Sequence, residues 1–145
     1  MYNIDEYRNI KVYLATPYTH KSRFIRWLRF RKANKAAGQL MEQGFFVYSP
    51  ISHTHPICVA NKLPFDFSFW SAYDRSFIDW CDVLVVNAVK GWKESKGVTA
   101  EIEYANAKGK PLIVTKSLGT VISKIEIMKA LENYTNSVRG KTVKG

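Results

Sequence analysis

Four short apolar runs recur along the chain, and the stretches between them carry large side chains at spacings of three and four. The runs are residues 10–15 (IKVYLA), 45–49 (FFVYS), 82–87 (DVLVVN) and 111–115 (PLIVT). Runs of this length read as buried strands; the first stops at Thr16-Pro17 and the second at Pro50. Between them, residues 23–43 place Trp27, Phe30, Ala33, Ala37, Leu40 and Met41 on one helical face, with Ser22 as cap and Gly44 as stop. Residues 67–80 repeat the period through Trp70, Tyr73, Phe77 and Trp80. Residues 98–108 and 120–133 read as two further helices. Strands alternating with helices need crossover connections. The predicted fold is therefore a single doubly wound α/β domain, Rossmann-like or flavodoxin-like, with a four- to five-stranded parallel sheet.

A length of 145 residues fits one domain, assigned to 1–135, with 136–145 as a flexible basic tail. Apolar residues make up 46% of the chain, enough for a core and too many for a disordered polymer. Residues 50–65 hold three prolines and no sustained period, so they read as a long loop over one edge of the sheet. Cys58 and Cys81 lie in no motif, so neither a disulfide framework nor a cysteine metal site is indicated. No apolar run reaches about 18 residues and no leader-like segment opens the chain, so the expectation is a cytoplasmic protein with no membrane partner.

The charge is uneven. The net value is +10, from 22 Lys and Arg against 12 Asp and Glu. Residues 21–35 contribute seven positive charges with no acid, and Arg139, Lys141 and Lys144 contribute the other three. The remainder is neutral. The basic helix is either a solvated face or a surface for phosphates or nucleic acid. Its aromatics fall mostly on the face assigned to the core, which argues against base stacking there.

In open α/β sheets ligands sit beyond the carboxyl ends of the strands. The loops there begin at Thr16, Ser49 and Asn87 and are rich in polar groups: Thr16, Tyr18, Thr19 and His20 after the first strand, Ser49, Ser52, His53 and His55 after the second, Ser95 and Gly97 after the third. Ser95-Lys-Gly-Val-Thr-Ala-Glu101 resembles a phosphate-cradling turn entering a helix. It lacks a Walker ending, and strand one is followed by no Gly-x-Gly-x-x-Gly, which counts against a dinucleotide fingerprint. Glu101, placed in the first turn of its helix, either points into the cleft or only complements the helix dipole. Asp74 is flanked by aromatics on the helix leading into the third strand, and a surface-charge role fits Asp79 and Asp82 better than it fits Asp74. His53-x-His55 has a spacing used by metal sites, but no third ligand lies nearby, and no metal site is expected.

Val12-Tyr-Leu-Ala-Thr-Pro-Tyr18, the Asp74 helix running into Trp80-Cys-Asp82-Val-Leu-Val-Val, and Ser95-x-Gly97-x-x-x-Glu101 followed by Gly109-Lys-Pro111 together resemble the nucleoside 2-deoxyribosyltransferase superfamily. They resemble most its branch of nucleoside 5′-monophosphate N-glycosidases, in a subgroup of uncharacterised bacterial and phage proteins. The resemblance implies Glu101 as nucleophile at the anomeric carbon, Asp74 as proton donor to the departing base, and Tyr13 as the group orienting Glu101. It implies Ser95 as a ligand of the 5′-phosphate and Ser123, in Val121-Ile-Ser123, as a residue reaching the phosphate of a neighbouring subunit. The branch's arginine after strand one falls near Thr19 here, so phosphate recognition passes to His20, Lys21 or Arg23. Substrate-binding candidates are thus Thr16, Tyr18, His20, Arg23, Ser49, Ser95, Gly97 and Ser123. No cofactor is implied, the expected partner is a nucleotide or nucleoside, and a homodimer or higher homo-oligomer is expected. Two other readings stay open: a catalytically silent basic module binding nucleotides or nucleic acid, and a nucleosidase acting on a dinucleotide such as NAD.

Overall fold

Strand β1 (Lys11–Ala15) is buried on both faces, Val12 and Leu14 pointing to one side and Tyr13 and Ala15 to the other. A strand covered on both sides belongs in the middle of a parallel sheet. The computed structural model describes residues 9–115 and 123–143 and places it there. The sheet comprises β1, β2 (Phe46–Tyr48), β3 (Val83–Val86) and β4 (Leu112–Val114), all parallel, in the order β2-β1-β3-β4. Five helices accompany it: α1 (Arg23–Glu42), α2 (Pro50–Asn61), α3 (Phe67–Trp80), α4 (Lys96–Ala107) and α5 (Lys124–Val143). The predicted doubly wound α/β architecture is thus observed.

Each face has its own core. On one, Val12, Leu14, Val83 and Val85 pack with Ala36, Ala37 and Leu40 of α1 and Ile127 of α5. On the other, Tyr13, Ala15, Leu84 and Val86 pack with Ile78 of α3 and Val98 and Ala105 of α4. The chain crosses from β1 to β2 on one side and returns to β3 on the other, so a crevice opens between the loops after β1 and β3.

Four expectations need correction. Residues 50–61 form a helix, not a loop: Ser49 caps it by accepting from the Ser52 amide, and Pro50 stands at a first-turn position where a missing N–H costs nothing. Its inner face is Ile51, Thr54 and Cys58, a helical spacing masked by the polar Thr54, whose hydroxyl donates to the Pro50 carbonyl at 2.8 Å. The inward faces of α1 and α3 are also narrower than the aromatic spacing predicts. Trp27 and Met41 are exposed and α1 seats on Ala33, Ala36, Ala37 and Leu40, while α3 buries Asp74 and Ile78 and leaves Tyr73 and Trp80 exposed. Third, α4 begins at Lys96, which puts Glu101 in its second turn. Last, α5 continues to Val143, through residues where the sequence predicts a tail; its predicted start at Thr120 lies outside the described residues.

Candidate active site

Tyr13 is fully buried in β1, and its phenol donates a hydrogen bond to Glu101 Oε2 on α4. Glu101 itself is 8% exposed, so it does not serve as a surface partner of the helix dipole. Burial pushes its carboxyl up to about 8, against the lowering effect of the Tyr13 hydrogen bond and with a further push from the charge of Asp74. Asp74, on the inward face of α3, is pushed up to about 7 by burial, and its Oδ1 has no hydrogen-bond partner. Tyr13 is held well above its ordinary value by burial and then by the Glu101 charge. Three chain segments thus bring two carboxyls and a phenol into one electrostatic unit.

A buried carboxylate oxygen without a partner is costly, and here it has company. Thr16 Oγ1 and the Tyr48 hydroxyl are likewise buried and unpartnered. Thr16, Asp74 and Glu101 line one cleft of about 550 Å³, counting the space open to solvent, at the carboxyl edge of the sheet. Its walls include Ile51 and Val98 and the rings of Phe65, Phe67 and Trp70. Apolar walls around a few unsatisfied polar groups are the usual make-up of a small-molecule site. Tyr48, at the end of β2, lies parallel to Phe77 with ring centroids 3.8 Å apart and tilts against Tyr13 at 5.8 Å. Sequence reading treated Tyr48 only as a strand residue; its orphaned hydroxyl becomes visible only in three dimensions.

Of the other candidates, Tyr18, Ser95 and Gly97 line the same cleft. Ser95 caps α4, its Oγ accepting from the Val98 amide at 3.2 Å. Ser49 is spent on capping α2 and accepts a hydrogen bond from the Ser52 hydroxyl at 2.8 Å. His20 Nδ1 accepts from the Ser22 amide at 2.9 Å, and Arg23 lines a separate groove; neither borders the cleft. Ser123 is exposed and caps α5. The next residue, Lys124, is bound through its amide to Gln43, just past the end of α1. Any role for Ser123 at a phosphate therefore needs a second chain; Val121 and Ile122 lie outside the described residues. The two histidines of His53-x-His55 diverge, as residues two apart on a helix must. His53 Nε2 meets the Tyr73 hydroxyl at 2.9 Å, whereas His55 meets the Tyr18 hydroxyl and stacks on Phe30 at 4.3 Å.

The residue that sequence reading missed is Arg29. It reaches back from α1 to the loop after β1, Nη1 donating to the Thr19 carbonyl at 3.0 Å and to the Tyr18 carbonyl at 3.4 Å. Arg29 lines a hollow of about 880 Å³, counting the space open to solvent, with Ser95, Lys96 and Gly97 at the amino end of α4, and Asp66 and Glu94 also border it. Thr19, Asp66, Phe67, Ser95 and Gly97 belong to both hollow and cleft. Gly91 makes the room: it sits at φ +92°, and a Cβ there would stand 2.7 Å from Arg29 Nη2.

Fold and cleft together define a small doubly wound α/β protein with a buried Tyr-Glu-Asp cluster at its topological switch point. The chain belongs to the family described as "Domain of unknown function (DUF1937)", which matches residues 10–117. No curated protein matches its sequence. Among solved structures it is similar to a 2-deoxyribosyltransferase from the psychrotolerant bacterium Bacillus psychrosaccharolyticus, described as a biocatalyst for the synthesis of antiviral and antitumoral nucleosides. That similarity covers 79% of this chain and 78% of the other, at 23% identity and a TM-score of 0.51. The chain thus shares its fold with that 2-deoxyribosyltransferase. Among the described residues, no helix is long and apolar enough to cross a membrane.

Proposed function

We propose that the protein breaks the N-glycosidic bond of a (deoxy)nucleoside 5′-monophosphate, handing the sugar to water or to a second base. The observation that carries this reading is the buried Tyr13–Glu101 hydrogen bond beside the unpartnered oxygen of Asp74. In the reaction, a Glu101 oxygen bonds to the anomeric carbon as the bond to the base breaks, and Asp74 gives its proton to the departing ring nitrogen. Water or an incoming base then displaces Glu101. The scheme needs Glu101 ionised and Asp74 protonated. Taken singly, the two carboxyls lean the other way, Glu101 holding its proton to the higher pH. What supports the assignment is the donor set: Tyr13 stabilises a charge on Glu101, and nothing donates to Asp74 Oδ1. The positive charge growing on the sugar lies against Glu101 and lowers it further.

The base fits the apolar wall of Phe67 and Trp70, and the phosphate fits the hollow at Arg29, Lys96 and the amino end of α4. Arg29 then supplies the cation that the β1 loop lacks at Thr19. The similarity in fold to a structure described as a 2-deoxyribosyltransferase supports the reading. A panel of nucleotides and nucleosides, NAD included, incubated with the protein and followed for free base by chromatography tests the reading. Base release that survives Glu101→Ala overturns it. Consumption of NAD in preference to monophosphates replaces it with the dinucleotide reading.

A further inference from the structure

The first turns of α1 present an aromatic ladder to solvent. Phe24 is 62% exposed and Trp27 43% exposed, and their rings stack with centroids 6.0 Å apart. The Arg31 guanidinium continues the ladder, 5.0 Å from the Trp27 ring centre. Beside it, a groove of about 830 Å³, counting the space open to solvent, runs between α1 and α2, lined by Trp27, Phe65, Arg23, Arg26 and Lys62. Arg26 is fixed over the Phe65 ring at 4.9 Å and donates to the His20 carbonyl, so it is held in place before any ligand arrives. The setting is one-sided in charge: between Glu6 and Asp66 the sequence contains a single acid, Glu42, which ends α1 at the far side from the ladder. Phe65 and Cys58 line both this groove and the cleft, so the two are neighbours.

A solvated helix face needs cations but no stacked, exposed aromatics, and a phosphate site needs no ladder. Exposed planar rings alternating with guanidinium groups suit a partner that offers planar rings alternating with phosphates. We propose that the α1–α2 groove binds single-stranded nucleic acid, bases stacking on Phe24 and Trp27 and phosphates lying against Arg23, Arg26 and Lys62. This binding stands apart from the chemistry proposed for the cleft.

Fluorescence anisotropy with a labelled oligo-dT of about ten nucleotides, a length within the usual range of such sites, tests it. Expected are quenching of tryptophan fluorescence, and a log affinity falling linearly with log salt by about 0.7 for each phosphate contacted. Trp27→Ala weakens binding about tenfold and Trp27→Phe restores it, while far-UV circular dichroism and release of base from mononucleotides stay unchanged. Arg23→Gln reduces the salt slope by about 0.7. Equal affinity for an abasic strand of the same length, or for heparin, overturns the proposal in favour of charge alone. A preference for duplex DNA, binding instead to phosphatidylserine vesicles, or no binding at low salt also overturns it.

Discussion

The Tyr13 phenol and the Glu101 carboxylate, 88 residues apart in the chain, form a hydrogen bond inside the protein. A phenol buried in the central strand is an expensive way to fill a core, and its partner is a carboxylate that would be more stable in water. The pair is better suited to fixing the position of Glu101, which lines the cleft. Glu101→Gln is expected to lower base release about a thousandfold or more, as loss of a nucleophile does. Tyr13→Phe is expected to cost about a hundredfold, typical of one lost electrostatic donor. Because the phenol lowers the pKa of Glu101, removing it moves the acid limb of the pH–rate profile upward. A Tyr13→Phe profile that keeps its acid limb and loses only amplitude would show that the phenol merely packs.

Stability should fall with pH over the neutral range. Asp74 and Glu101 both have folded values raised, to about 7 and about 8. The unfolded values lie near 4, so the native state binds more protons between these limits. The contribution of these two groups is fully present below about pH 4 and is lost as pH climbs through 7 and 8. Asp74→Asn cannot ionise and escapes the penalty. Its unfolding free energy from urea titration should exceed that of wild type at pH 8 by an amount on the order of a few kcal/mol, and match it near pH 4. Equal free energies at pH 8 contradict the burial argument.

Arg29 is expected to recognise phosphate and not base. Arg29→Ala should raise KM for a nucleoside 5′-monophosphate about ten- to a hundredfold, the worth of a charged hydrogen bond, and leave kinetics on the free nucleoside unchanged. Arg29→Lys keeps the charge but not the fork that grips the β1 loop, so partial recovery is expected. Steady-state assays on matched substrate pairs decide it; equal losses on both substrates assign Arg29 to loop support alone. Gly91→Ala should reproduce part of the defect, since its Cβ would intrude on Arg29 and its φ of +92° disfavours any side chain.

The strands were legible because apolarity on both faces leaves few alternatives, as in Val83–Val86, where every residue is buried. Helix faces were read less well, for a reason of length. α1 has 20 residues and spans about 30 Å, against about 17 Å for the five-residue β1. Its middle packs on the sheet core through Ala36, Ala37 and Leu40, while Trp27 in its earlier turns is exposed. Periodicity records that large residues share a face and is silent on whether anything covers it. In the site, Glu101, Asp74 and Tyr13 were reached through motif resemblance. Arg29 was not, because its contact with Thr19 depends on how closely α1 approaches the β1 loop, and nothing in the intervening residues encodes that approach.

Helix α2 gives the sharpest stability test, since its sequence argues against the structure it adopts. Pro56 lies inside the helix. It lacks the amide that would bond to the carbonyl four residues back, and its ring crowds that carbonyl. The helix persists because Ile51, Thr54 and Cys58 are buried and Ser49 caps its start. Pro56→Ala restores the amide, at the cost of a more flexible unfolded chain. A net stabilisation of about 1–3 kcal/mol is expected. Ser49→Ala removes the cap and should destabilise by about 1 kcal/mol. Chemical denaturation of the two variants beside wild type separates the outcomes. A Pro56→Ala midpoint at or below wild type would mean that residues 50–61 do not run as a continuous helix, and the cleft wall built on Ile51 and Thr54 would need to be redrawn.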